Sequence, residues 1–538
     1  MRALFVTLLA AWGLCAAPPE PCLIEGTVLH HLTGQPLPRT RIAIERLGSK
    51  GPAAAATTTD DGGRFRFDSL TPGFYALTAA RDGFLPMTVV QEGGLARQSL
   101  ALWLPGQRIT GVTVRLRPAG VIAGRVRFQD GESALGVPVQ VWRQQYVRGR
   151  RTYAAAGTVV TNDLGEYRLH SLPPGAYFVA AIRQPPPPAP GVAEPEDPGP
   201  QPVSTFYTAA TRLGEGTAVQ VGLGQEVSGV DIYLAQQRTR TIRGKVVNAV
   251  NGRTLSTPTI ALRWLDPSGA GSIPAPVRLR VAQGVFEIAG VTPGTYMLTV
   301  GGADDGRVLT ARHMLTVTDA DIENLEIAAA PARLWTGQLR FDKQLDDNQL
   351  PTRVIFEPRS DLVAPLGADI KKDGSFALNV MPDETYDVFV EGGSPDAYLK
   401  SALIGADDLL RDGFSVSRAD KPETIELVMT RNAARVSGKV YNAGSHTVSG
   451  ANVALLPQPL QSRLQGIKAA ATDENGDYQF NGVAPGRYLL LAWVAEPPCD
   501  LFDPALPAEC TQNARAIEVV NAGDVSGVRL RLNGQPGE

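Results

Sequence analysis

The fold is decided by Thr472-Asp-Glu-Asn-Gly-Asp-Tyr-Gln-Phe-Asn-Gly-Val-Ala-Pro-Gly-Arg-Tyr488. Tyr478 and Phe480 alternate on one face, the period-2 signature of a half-buried strand. Pro485-Gly486 supplies a turn, because proline presets φ and glycine accepts positive φ. Tyr488, Leu490 and Ala492 resume the alternation on the outgoing strand. The same unit recurs at Phe65–Tyr75, Tyr167–Tyr177 and Phe286–Tyr296, each with its own Pro-Gly. A fourth copy at Phe376–Tyr386 carries Asp383-Glu384 in place of Pro-Gly.

Working outward, each copy is preceded by a Gly-x-Val-type strand: Gly26, Gly124, Gly244, Gly337 and Gly438 mark them. A second strand follows with inward apolar residues, such as Ile42/Ile44, Val139/Val141, Ile260/Leu262, Val354/Phe356 and Val453/Leu455. Another alternating run closes each repeat, for example Val112/Val114/Leu116 and Val528/Leu530/Leu532. The repeat length of roughly 90–120 residues far exceeds a solenoid unit. About seven short strands of that kind can close a core of their own as a sandwich. We therefore expect an all-β chain of tandem sandwiches over 22–117, 118–236, 237–331, 332–431 (degenerate) and 432–535, joined by short linkers. The second contains a Pro-rich insertion at 185–202, expected to be stiff and extended.

At 538 residues the chain exceeds a single core. Its 43% apolar and 20% charged content are those of a globular protein. A net charge of −3 gives no basic excess for nucleic acid. Residues 1–17 read as an export signal, with Arg2, an apolar run from Ala3 to Leu14, and Cys15-Ala-Ala17 for cleavage. No transmembrane anchor is expected, and the destination is the periplasm, the cell surface or the medium. Such a compartment permits disulfides, and Cys499 with Cys510 is the natural pair. That bridge would present Leu501-Phe502 as an apolar knob.

The pattern Gly-x-Val … Thr-Asp-x-x-Gly-x-Phe/Tyr-x-Phe-x-x-Leu-x-Pro-Gly-x-Tyr resembles the carboxypeptidase regulatory-like domain. It is similar to the transthyretin-like accessory domain of metallocarboxypeptidases and to the collagen-adhesin B-type domain. The resemblance implies prealbumin-like, seven-stranded Greek-key sandwiches, or the related starch-binding-like form. It is specific for fold and not for function, since such units occur in enzymes, adhesins and transporter extensions. The adhesin relatives form an isopeptide bond from an opening-strand lysine, which directs attention to Lys245, Lys439 and Asn533. Val440 faces inward, so Lys439 is expected outward and the bond is not expected.

Catalytic signals are poor. His30, His31, His170, His313 and His446 are scattered, and none begins a His-x-x-Glu or His-Glu-x-x-His motif. No enzymatic activity, cofactor or metal is expected. The turns at Asp60, Asn162, Asp373 and Asp473 have oxygen donors at alternate positions, but they lack a distal Glu and suit plain hairpin turns. Tyr75, Tyr177, Tyr296, Tyr386 and Tyr488 share parity with inward residues, and a buried corner role through the hydroxyl is expected.

One patch suggests binding. Trp142 follows the inward Val139 and Val141 and should point to solvent, beside Arg143, Tyr146, Arg148, Arg150 and Arg151. Trp/Tyr/Arg patches stack on sugar rings or pair with anionic polymers. The plainer reading is a hairpin tip packed on the neighbouring repeat. Trp264 shares parity with Ile260 and Leu262 and should be core. Three functions follow as expectations. The first is a non-catalytic surface protein in adhesion, assembly or ligand binding. The second is a polysaccharide binder of the starch-binding-like type, and the third an accessory chain of a separate hydrolase.

Overall fold

A computed structural model describes residues 21–46, 55–71, 73–89, 100–102, 107–147, 150–185, 199–265, 271–342, 351–360, 364–417, 420–460, 466–473, 475–493, 501, 506, 508–520 and 523–532. The chain is built almost wholly of strands, with only two four-residue helices, Leu409–Asp412 and Ala508–Thr511, among the described residues. No helix there is long and apolar enough to cross a membrane. Contacts divide the protein into two compact units, one ending at Ala119 and the other continuing from Gly120.

In the first unit, the opening strand Cys22–His30 pairs antiparallel with Arg64–Leu70 and parallel with Arg108–Leu116. The facing sheet places Arg41–Arg46 between Ala55–Thr58 and Gly73–Ala80. Ile24, Val28, Ile42, Ile44, Phe65, Phe67, Tyr75 and Leu77 meet between the two sheets, as their alternation requires.

The second unit repeats this scheme. Gly120–Arg127, Arg240–Asn248, Arg333–Phe341 and Ala434–Tyr441 each take an antiparallel partner on one side and a parallel partner on the other. The third repeat departs from two separate sheets. Its hairpin Gly294–Asp304 and Arg307–Val317 runs long enough that Leu309 and Thr310 pair with Pro331 and Ala330, joining both layers into one eight-stranded sheet.

The opening-strand glycine has a steric cause. A Cβ on Gly26, Gly124, Gly244 or Gly438 would stand 1.9–2.1 Å from the carbonyl oxygen of Val112, Val230, Leu325 or Val528 on the closing strand. The two backbones approach too closely for any side chain. In the first, third and fifth repeats the parallel register shifts just ahead of that glycine.

The corner tyrosines behave as expected. The Tyr75 hydroxyl donates to Thr71 O at 2.8 Å, Tyr296 to Thr292 O at 2.6 Å and Tyr488 to Ala484 O at 2.8 Å. Tyr177 makes the same bond to Pro173 O. Each closes the Pro-Gly turn onto the start of its own strand.

Candidate binding surface

The turns that superficially suited calcium are closed by their own oxygens. Asp60 Oδ1 accepts from Gly62 and Arg64 N–H at 2.9 and 2.8 Å. Asn162 Oδ1 accepts from Leu164 and Glu166 N–H at 3.0 and 2.8 Å. Asp473 Oδ1 accepts from Asn475 and Asp477 N–H, both at 2.8 Å. These are Asx turns. The hydrogen bond to Ser375 holds the Asp373 carboxyl below its usual range. No cluster of metal-ligating side chains occurs among the described residues.

A threonine missed in the sequence precedes three of these turns. Thr59, Thr161 and Thr472 are buried, and each hydroxyl bridges the loop before the second strand. Thr472 Oγ1 accepts from Ala451 N–H at 2.9 Å and donates to Val448 O at 2.7 Å. Thr59 does the same with Thr40 N–H and Leu37 O, and Thr161 with Val137 N–H and Ala134 O. The Thr-Asp/Asn dipeptide was its signal.

Lys245 Nζ lies 2.8 Å from Glu326, and Lys439 Nζ lies 2.7 Å from Asp477. Both lysines are substantially exposed and ion-paired, facing outward as parity requires. Asn533 lies outside the described residues.

The structure corrects the solvent-facing reading of the aromatic patch and fits the plainer one, packing on the neighbouring repeat. Trp142 does point away from the sandwich of Val139 and Val141, but it is only 5% exposed. Its ring lies 6.2 Å from Phe206, which in turn lies 5.4 Å from Trp264. Tyr153 meets Phe178 edge-on on the same face. Strand parity gave the side of the sheet and could not give what covers it. The cover is Phe206, on a short strand Thr205–Phe206 that pairs with Gly175–Ala181, together with Trp264 of the third repeat. Trp264 is buried, as expected, but among both repeats. Trp142 therefore presents no face for a sugar.

Arg143 pairs across to the inward Tyr177 and lies over the turn, where a Cβ on Gly175 would stand 2.7 Å from its Nε. Tyr146 is half-buried. Arg150 and Arg151 belong to the strand Arg150–Val160, opposite Val147 and Tyr146. Arg148 lies outside the described residues, as does most of the Pro-rich insertion. Its flanks are described: Pro185 comes so close to Gly290 that a Cβ there would meet its ring at 1.9 Å, and Gln201–Pro202 pairs with Gln236–Gln237.

At the other variable loop, Cys510 is fully buried with Ala454, Leu456, Leu491, Trp493 and Leu501. Leu501 is thus not a presented knob: it covers the outer face of the sheet. Phe502 and Cys499 lie outside the described residues.

A joint between the third and fourth repeats was not legible in the sequence. Arg312 Nη1 donates to Glu384 Oε2 at 2.6 Å, with side-chain exposures of 14% and 4%. Ser360 Oγ donates to the same carboxylate oxygen at 2.5 Å. Glu384 occupies the turn position that is glycine in the other repeats.

Residues 23–102, the first repeat, match the profile of the carboxypeptidase regulatory-like domain. No curated protein matches the chain by sequence. Among solved structures, the chain is similar to the minor pilin GBS52 of Streptococcus agalactiae, at 14% identity over 40% of this chain and 96% of that one, TM-score 0.22. It is also similar to the shaft pilin SpaA of Lactobacillus rhamnosus GG, at 12% identity over 41% and 98%, TM-score 0.17. The Bacillus anthracis TIE protein overlays at 9% identity over 77% and 74%, TM-score 0.15. Scores this low leave the fold to rest on the strand pairing itself.

Proposed function

We propose that the chain is an exported, non-catalytic scaffold of five tandem sandwiches, with the bounds read from the sequence, acting at the cell surface in adhesion or assembly. The observation that carries this reading is how the recurrent polar residues are used. The corner tyrosines, the turn carboxylates and the clip threonines each satisfy their own backbone. A side chain so engaged stiffens a module and has no capacity left for chemistry. Binding then belongs to the loops at the ends of the sandwiches, on a rigid support. A bridge between Cys499 and Cys510 fits this scheme by closing a loop of the last repeat.

Protease shaving of intact cells tests the location. Externally added protease is expected to remove the protein, with cleavage in the Pro-rich insertion, before any cytoplasmic marker is lost. Resistance until lysis would overturn the surface reading. A peptidase activity of the purified chain that a chelator abolishes would overturn the non-catalytic one.

A further inference from the structure

In the fifth repeat, one strand position breaks the inward apolar rule. Lys468 lies directly opposite Leu455, and Ala470 opposite Val453, across the pair Asn452–Pro457 and Lys468–Ala471. Residues opposite each other share a face, and Leu455 and Val453 are fully buried in the sandwich. Lys468 therefore points inward. The matching place, opposite Ile44, Val141 and Phe356, holds Ala55, Gly157 and Leu366 in the first, second and fourth repeats. A lysine there contradicts the local pattern, and such breaks concentrate where function is built in.

The side chain crosses to the facing sheet. Its Nζ stands 3.5 Å from where a Cβ on Gly482 would lie, at a left-handed residue of φ +64° in the bulge of Asp477–Val483. Here the fourth repeat closes over the gap, leaving a cavity of about 450 Å³. The size is that of a small-molecule site. Phe389, Val390, Leu399, Leu410 and Met429 give it an apolar side, and Ser394, Tyr398 and charged residues share the lining. Of the other charged groups lining it, Lys400 pairs with Asp342 at 3.2 Å, Arg411 with Asp412 at 2.7 Å, and Asp408 accepts from Leu410 N–H at 3.0 Å. No carboxylate among the described residues lies within 4 Å of Lys468. Burial pushes its ammonium below the usual lysine range, which an anion beside it would reverse.

We propose that this cavity binds a small organic carboxylate, its apolar body against Phe389, Leu399 and Met429 and its carboxylate paired with Lys468. The site supplies what such a ligand needs: one cation with no carboxylate beside it among the described residues, next to an apolar wall in a partly enclosed space. The inference is independent of the surface role proposed above.

The test is displacement of 8-anilinonaphthalene-1-sulfonate from the full chain by octanoate, with octanol as the uncharged control. Saturable dye binding is expected, with octanoate displacing it at least about tenfold more effectively than octanol, since hydrogen bonds to charged groups outweigh neutral ones. Lys468→Arg should keep this preference. Lys468→Met should abolish it while melting no lower than the wild type, because it removes an unpaired, partly buried charge. No saturable binding, equal displacement by octanol, or an unchanged preference in Lys468→Met each overturns the proposal. A lower melting temperature in Lys468→Met also overturns it, by showing that Lys468 has a structural partner.

Discussion

The fourth and fifth repeats span the same interval, ten positions from Phe376 to Tyr386 and from Tyr478 to Tyr488, and distribute it differently. In the fifth, an extra residue sits inside the strand. Val436 pairs with Phe480 and Ala434 with Val483, so two residues face three, and Gly482 takes positive φ. The first, second and third repeats carry the same bulge, with Ser69, Ser171 and Gly290 at positive φ. In the fourth, Trp335 pairs with Leu378 and Arg333 with Val380 without a shift. The extra residue appears instead in the turn Met381-Pro382-Asp383-Glu384, where Asp383 takes φ 62°. Tyr386 then reaches back five residues, not four, and its bond to Met381 O lengthens to 3.4 Å. What the protein holds fixed is the distance between two buried aromatics. The turn between them is free to vary, and in the fourth repeat its variation places Glu384 against Arg312.

The largest effect expected from this comparison lies at the opening glycines. A Cβ on Gly438 would meet a backbone oxygen at 1.9 Å, whereas on Gly337 it would meet the Phe376 ring at 2.0 Å. A ring edge can turn aside and a ladder carbonyl cannot. Gly438→Ala should cost about 3 kcal/mol or more, and Gly337→Ala about 1–2 kcal/mol. Amide hydrogen exchange reads each repeat separately: protection should collapse in 434–531 for the first variant and fall only modestly in 333–430 for the second. Equal losses would show that the two glycines serve the same close approach.

The next effect is at the joint. Arg312→Met leaves the Glu384 carboxylate buried with neutral donors in place of its cation, Ser360 Oγ and the Thr385 N–H at 2.9 Å, and should destabilise by about 2–3 kcal/mol. Glu384→Met should cost less, and the double variant less than the sum, because no buried charge is left without its partner. A double-mutant cycle on chemical denaturation measures the coupling. Additive losses would mean the pair is only a neighbourly contact. The fifth repeat, with Gly486 at that place, should be indifferent to both changes.

How much of this was legible follows from the range of each interaction. The strand order, the inward tyrosines and the Asx turns were readable because period-2 alternation and turn chemistry act within a few residues. The plainer reading of Trp142, packing on the neighbouring repeat, fits its burial; the solvent-facing reading fails, since its cover comes from Phe206 and Trp264, far along the chain. Leu501 failed for the same reason. The Arg312–Glu384 pair joins residues whose local sequences carry no mark of each other, apart from a missing Pro-Gly that read as decay. Lys468 was visible as an alternation error in Lys468-Ala-Ala-Ala471, but only the register with Leu455 gives the error its direction.

The smallest expected difference separates the two corner tyrosines. Tyr488→Phe removes a 2.8 Å bond and leaves Ala484 O unpaired, at a cost of about 1 kcal/mol. Tyr386→Phe removes a bond already stretched to 3.4 Å and should cost under about 0.5 kcal/mol near neutral pH. Alkali sharpens the contrast for Tyr386. Burial, and then the nearby Glu384 carboxylate, push its hydroxyl up to about 12. An unfolded tyrosine ionises near pH 10, so between pH 10 and about 12 the unfolded chain releases a proton that the folded chain retains. The stability this group contributes is therefore complete below pH 10 and is lost as the pH rises through that window. Tyr386→Phe should flatten the fall in stability between pH 9.5 and about 11 while changing little at pH 7, as followed by urea unfolding of the fourth repeat. A fall as steep as in the wild type would show that Tyr386 ionises alike in both states and that its longer bond reflects an exposed corner.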